Sequence, residues 1–168
     1  MFTYYLCVFA KSIKVKVALS IINSKSLSRK KINQLLEKSG LTVGEDSAVT
    51  TPFFCEFGRV SIGKNVYINA SCVFLDNANI RIGDNSLIGP HVTLSTANHP
   101  CEPSKRHASV ISSPITIGKN VWLGAGVVVL PGVTIGDNSV IAANSVVKWN
   151  VPENVLFAGA PAIFKRNI

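Results

Sequence analysis

Acidic residues are scarce in this chain: nine Asp and Glu stand against seventeen Lys and Arg, and charged residues make up only 15% of its 168 positions. A basic excess suggests a nucleic-acid partner until its distribution is examined. Residues 1–40 hold eight of the basic residues (Lys11, Lys14, Lys16, Lys25, Arg29, Lys30, Lys31, Lys38) against the single acid Glu37. Residues 41–168 hold nine basic and eight acidic residues and are nearly neutral. Nucleic-acid recognition needs a basic stripe backed by a motif, and no such motif is present. Histidine is equally sparse. His91, His99 and His107 stand eight residues apart, which does not supply the three or four converging ligands of a zinc site. The four cysteines (Cys7, Cys55, Cys72, Cys101) include no C-x-x-C pair and no metal-like spacing, so they are expected to be reduced thiols of a cytoplasmic protein. Long apolar runs are missing too. Met1 to Ala10 is apolar, but a span needs about 20 such residues and Lys11, Lys14 and Lys16 interrupt. A secretory leader carries its positive charges before the apolar run, the reverse of the order here. The N-terminal arm is expected to pack on the body or on a neighbouring subunit, in preference to touching anionic lipid.

What the chain has in abundance is a six-residue period. From Ile117 it runs IGKNVW, LGAGVV, VLPGVT, IGDNSV, IAANSV, VKWNVP, six hexads that each begin with an aliphatic residue (Ile117, Leu123, Val129, Ile135, Ile141, Val147). Earlier sets begin at Ile62, Ile68 and Phe74 and at Ile82, Ile88 and Leu94, with a fainter one at Val43 and Val49. Neither a helix nor an alternating strand has period six. A solenoid with three short flat faces does, one hexad per face, with the aliphatic residue filling the bore. Asn65, Asn85, Asn120 and Asn138 recur where corners tolerant of left-handed backbone angles are expected. The fold class is therefore all-β, a parallel β-helix. Periodicity leaves its hand open, and the usual rule for parallel crossovers is right-handed.

Ser28 to Ser39 has a helical pattern, with Ile32, Leu35 and Leu36 on one face, Ser28 placed to cap the start and Gly40 the end. Two domains follow: residues 1–40 as a basic, apolar arm and helix, and residues 41–168 as the β-helix. A loop of about residues 97–114, holding TANHPCEPSKRHASVISSP, interrupts the hexads. Loops extruded from a rigid scaffold commonly carry function.

The stretches PFFCEFG (52–58), INASCVFLD (68–76), IRIGDNSLIGP (80–90), STANHP (95–100), SPITIGKNVWLGAGVVVLPGVTIGDNSVIAANSVV (113–147) and FAGAPA (157–162) resemble the maltose, galactoside and nodulation-factor O-acetyltransferases of the hexapeptide-repeat superfamily. The resemblance covers about two-thirds of the chain. It implies a left-handed β-helix, a homotrimer, active sites between neighbouring subunits, and acetyl-CoA as co-substrate without a metal. It places the catalytic histidine at His99, acceptor contacts at Glu56, Asn69 and Asn77, and acetyl-CoA contacts at Ala125, Ala143, Lys148 and Arg166. Three departures stand out. The segment usually reading T-K-D-(V/I)-P is Lys148-Trp149-Asn150-Val151-Pro152, the closing Arg of G-x-P-x-R is Ile163, and the acidic sugar-contacting segment gives way to the basic arm at 1–25.

The chemistry fits. A sugar hydroxyl attacks only as its proton is removed, and imidazole titrates close to neutral pH, where a general base is most effective. Direct transfer follows: His99 takes the proton, the oxygen attacks the thioester and backbone N–H groups hold the oxyanion, while Asn69 holds the acceptor hydroxyl or orients the attack. Gly124, Ala125, Gly126, Ala142 and Ala143 are small enough to admit the pantetheine arm. Lys148, Lys165 and Arg166 suit the CoA phosphates. His91, inside a hexad, is expected to be structural. Cys101 is near His99 in sequence, but a strand or turn does not aim both groups at one atom. The alternatives are an amino-sugar N-acetyltransferase or antibiotic-modifying relative, since Glu56 also suits an amine, and a non-enzymatic β-helix scaffold, which the intact N-H-P motif disfavours. An acceptor screen following acetyl-CoA consumption separates them.

Overall fold

The computed structural model describes residue 7 and residues 9–168. Of the apolar residues of the arm, Phe2, Tyr4, Tyr5 and Leu6 lie outside the described residues, and Phe9 is 86% exposed.

Each hexad becomes one short strand. The first coil is β1 (Thr42–Val43), β2 (Ala48–Val49) and β3 (Phe53–Cys55); the second is β4 (Val60–Ile62), β5 (Tyr67–Ile68) and β6 (Cys72–Leu75). The third is β7 (Ile80–Ile82), β8 (Leu87–Ile88) and β9 (Thr93–Ser95), followed by a hairpin of β10 (Ala97–Asn98) and β11 (Ile111–Ser112). The fourth is β12 (Ile115–Ile117), β13 (Trp122–Leu123) and β14 (Val128–Val129), and the fifth is β15 (Thr134–Ile135), β16 (Val140–Ile141) and β17 (Val146–Val147). A partial sixth coil carries β18 (Val155–Gly159), against which β19 (Ala162–Asn167) folds back antiparallel. Successive coils stack in parallel register into three faces. Face A is β1-β4-β7-β12-β15, face B is β2-β5-β8-β13-β16-β18 with β19 at its edge, and face C is β3-β6-β9-β14-β17.

All fourteen hexad-leading residues, from Val43 to Val147, are buried in the bore. Phe53 and Phe74 meet edge to face there, ring centroids 5.1 Å apart. Buried serines tie adjacent coils: Ser47 and Ser86 donate to the carbonyls of Gly63 (2.7 Å) and Gly118 (2.9 Å) while accepting from the N–H groups of Val66 and Val121. The expected left-handed asparagines sit at the A-to-B corner, with φ of 53° at Asn65, 62° at Asn85, 54° at Asn120 and 61° at Asn138. Their amides stack across coils, Asn65 to Asn85 at 2.9 Å and Asn120 to Asn138 at 3.0 Å. His91 occupies the B-to-C corner with φ 59°.

Two helices cap the first coil. The second, α2 (Arg29–Lys38), buries Ile32, Leu35 and Leu36 against β1 and β2. Gly40 (φ 109°) ends it: its N–H bonds the carbonyl of Glu37 and that of Leu41 bonds Leu36, the two bonds of a Schellman motif. Ser28 holds the N-cap position, but its side chain makes no capping hydrogen bond. The first helix, α1 (Val15–Ser24), falls inside the segment read above as an arm. Its β-branched sequence gives weak helix propensity. Burial of Ala18, Leu19, Ile21 and Ile22 along one side overrides that preference. Asn23 then docks α1 on the solenoid, donating to the carbonyl of Phe53 at 2.9 Å and accepting from its N–H at 3.0 Å. No helix among the described residues is long and apolar enough to cross a membrane.

Candidate active site

Two edges of the triangular solenoid carry the candidate residues. At the B-to-C edge a groove of about 660 Å³ runs along the coils. Asn69, Ala125 and Ala143 line it, together with Gly124 and Ala142. Its floor is backbone: a Cβ on Gly124 would come within 2.6 Å of the Ala143 nitrogen, and one on Gly89 within 2.7 Å of the Ala125 nitrogen. Among the described residues the coil-to-coil ladder leaves the N–H groups of Ala125 and Ala143 without an acceptor. Asn69 accepts from the N–H of Ala70 at 2.8 Å, which turns its amide hydrogens away from that bond and leaves them as donors. The outer wall is apolar. Tyr67, Leu87 and Trp122, registered across β5, β8 and β13, are 43%, 50% and 54% exposed. Sequence reasoning missed them, because the hexad pattern marks the residues pointing inward and says nothing of which outward face is apolar.

The C-to-A edge carries a second set. Glu56 leaves the first coil after β3, Asn77 leaves the second after β6, and the β10–β11 hairpin leaves the third after β9. Ala78 donates to the hydroxyl of Thr96 at 2.9 Å, so the base of the loop lies directly on Asn77's coil. His99 is exposed just past β10. Its Nδ1 lies 3.0 Å from the carbonyl oxygen of Arg106, and its own N–H donates to the Asn98 side chain at 2.8 Å. Arg106 in turn donates to the carbonyl of Cys101 at 2.8 Å, closing the loop on itself. Cys101 is exposed and His107 lies on the outer, exposed part of the loop.

Asp76 escaped the sequence reading and organises this edge. Its side chain is fully buried. The carboxylate accepts from three backbone N–H groups of the turn below: Glu56 at 2.6 Å, Phe57 at 3.0 Å and Arg59 at 2.6 Å. The available signal was an acid closing an apolar strand, CVFL followed by Asp. Burial drives the thiol of adjacent Cys55 up to about 12, and the Asp76 charge adds to that shift.

The remaining residues lie apart. Lys148 is exposed at the C-to-A edge of the fifth coil, its Nζ 5.2 Å from the ring centroid of Trp149. In the altered segment Asn150 has a structural task, accepting from the N–H of Thr134 at 2.8 Å. Arg166 is exposed in β19, registered opposite Leu156, which lines the end of the groove. The single chain therefore gathers Asn69, Ala125 and Ala143 at one edge and Glu56, Asn77 and His99 at another, with face C between them. Asn69 does not stand beside His99 within one copy. Among the described residues no group of three or more metal-ligating side chains occurs.

Short coils with an aliphatic lead residue define the class, that of the hexapeptide transferases, and residues 114–148 match the family described as bacterial transferase hexapeptide (six repeats). The chain is 44% identical over 140 residues to the galactoside O-acetyltransferase of Escherichia coli K12, covering 82% of this chain and 69% of that one. It is 46% identical over 122 residues to nodulation protein L of Rhizobium meliloti, covering 71% and 67%. Among solved structures, a hexapeptide-repeat acetyltransferase of Vibrio cholerae complexed with acetyl coenzyme A superposes with a TM-score of 0.87 at 42% identity, covering 91% of this chain and 84% of that one. The chain belongs to the hexapeptide-repeat acetyltransferase family and is an acyltransferase.

Proposed function

We propose that the protein transfers an acetyl group from acetyl-CoA to a hydroxyl of a sugar or glycan, directly, with His99 as general base. The observation that carries this is the bond between His99 Nδ1 and the Arg106 carbonyl. A carbonyl oxygen only accepts, so Nδ1 is the protonated nitrogen and Nε2 keeps its lone pair. Nε2 takes the acceptor's proton, the oxygen attacks the thioester carbon, and the C–S bond breaks. The proton then passes from the imidazolium to the departing CoA thiolate. No covalent enzyme intermediate is needed. The groove suits the extended pantetheine arm, and acetyl coenzyme A is the ligand of the Vibrio relative. The unused N–H groups of Ala125 and Ala143 are the donors offered to it. Lys148 and Arg166 are the cations for the phosphates, and Glu56, Asn69 and Asn77 contact the acceptor.

His99 and the groove occupy different edges, so completing a site takes a second copy. The exposed apolar row of Tyr67, Leu87 and Trp122 favours such contact. We infer a homotrimer with three shared sites, and the two helices of residues 15–38 as a cap on the 41–168 catalytic body. Four free thiols fit a reducing cytoplasm.

His99→Ala tests the proposal. Turnover should fall by about 10²–10⁴ while acetyl-CoA binding, measured by calorimetry, stays unchanged. Cys101→Ala should keep its activity. A Cys101→Ala protein as inactive as His99→Ala would move the chemistry to the thiol.

A further inference from the structure

We propose that the acceptor carries an anionic group, a carboxylate or a phosphate, and that Arg59 recognises it. This rests on reading the Glu56–Asn77 edge as the acceptor site. Arg59 stands on the same turn as Glu56, and Asp76 fixes both ends of that turn through the backbone N–H groups of Glu56 and Arg59. The guanidinium is fixed as well. It lies 5.1 Å from the centroid of the Phe57 ring, and its NH1 donates to the carbonyl of Asn77. A side chain that would ordinarily sample many rotamers is therefore held against the two coils that present the acceptor contacts.

Held in this way, the guanidinium is still unneutralised. Ion pairs such as Arg29–Asp46, Lys64–Glu45 and Lys105–Glu102 form elsewhere, and among the described residues none is seen at Arg59 or its neighbour Glu56. A guanidinium offers five N–H donors in a rigid fork, and the bond to Asn77 uses one side only. A second arginine adds to the field. Arg81 is exposed in β7, registered against Ser61 two residues beyond Arg59, and it too lacks an ion pair among the described residues. It lines a 270 Å³ recess with Asn79 and Thr116, beside the point where the loop returns at Pro114. Arg59 and Arg81 thus put two cations on neighbouring coils, neither with an ion-pair partner among the described residues. The sugar ring would then be gripped at two ends, hydroxyls on Glu56 and Asn77 and the anion on Arg59. A bidentate guanidinium also discriminates by shape, which a lysine there would not.

The test is a comparison of three acceptors of one sugar: the neutral methyl galactoside, the methyl galacturonide and galactose 6-phosphate. In the wild-type trimer kcat/KM for one anionic acceptor should exceed that for the neutral one by about 10–100-fold, and the preference should shrink as salt is raised. Which anion wins identifies the group. In Arg59→Gln the ratio of anionic to neutral kcat/KM should fall below about 3, with the melting temperature checked alongside. A wild-type enzyme that prefers the neutral acceptor overturns the inference without any variant. So does a ratio that survives Arg59→Gln. Glu56→Gln separates the two readings. If it lowers kcat/KM for all acceptors while Arg59→Gln leaves the ratio intact, only the anion inference falls. If it changes none of them, the edge is not the acceptor site and both fall.

Discussion

Replacing Asp76 by Asn tests whether one buried carboxylate shapes the proposed acceptor edge. Asp76 meets three N–H donors at 2.6, 3.0 and 2.6 Å. One oxygen, Oδ1, serves Glu56 and Phe57, and Oδ2 serves Arg59. An Asn side chain can place its carbonyl where Oδ1 was and keep the first two bonds, without their charge. Its amide nitrogen then faces the Arg59 N–H, donor against donor. A hydrogen bond to a charged group contributes about 1.5–3 kcal/mol, and a buried donor left unsatisfied costs about 1–3 kcal/mol. The two overlap at one site, so Asp76→Asn should cost about 2–4 kcal/mol. For a chain of this length that lowers the melting temperature by roughly 5–15 °C. Urea denaturation and scanning calorimetry on variants at equal concentration measure it. The kinetic counterpart is a raised KM for acceptor with KM for acetyl-CoA unchanged, because Asp76 bonds the turn of Glu56 and none of the residues that line the groove. A loss below about 0.5 kcal/mol, within the range of an ordinary surface substitution, would refute the reasoning. The turn would then be held by its other contacts, and the three short bonds would count for little.

The buried thiols predict a pH dependence. Burial raises Cys55 to about 12 and Cys72 to about 11 from 9.0, so the unfolded chain releases these protons more readily than the folded one. Stability should therefore be full below pH 9 and fall as pH climbs through 11 and 12. A Cys55→Ala/Cys72→Ala protein should show a flatter decline on urea titration. In the wild type, alkylation near pH 8 followed by mass spectrometry should mark exposed Cys101 well before either of them. Light scattering at micromolar concentration should give three times the 18.0 kDa of one chain, and a monomer would sink the shared site.

The bore was legible because a β-helix repeats its demand every six residues. Every lead residue from Val43 to Val147 points inward, and every corner asparagine named from sequence has a left-handed φ. Helix α1 was not legible. VKVALSIINS has neither a strong propensity nor a cap, and only the apolar end of the first coil makes it helical. The candidate site divides the same way. His99 stood out because its motif is local, whereas Asp76 acts on a turn twenty residues earlier, a separation only the coil register reveals. Which edge each candidate occupies was equally hidden, since position along a hexad does not say whether a corner faces a groove or a loop.

Coils without an insertion repeat at about eighteen to twenty residues, as the registers Thr116 with Thr134 and Val60 with Ile80 show, whereas the loop stretches the step from Ile80 to Ile115 to thirty-five. Each adds one interstrand step of about 4.8 Å. Glu56, Asn77 and the base of the His99 loop are thus three successive graduations on a rigid ruler. Bending cannot alter their spacing, because backbone bonds hold every coil to the next. It can change only by whole units, through gain or loss of a complete coil. A lineage that kept the histidine but inserted one coil beneath it would reach a longer acceptor with the same chemistry. If this edge holds the acceptor as proposed, the length of substrate it accommodates is an integer.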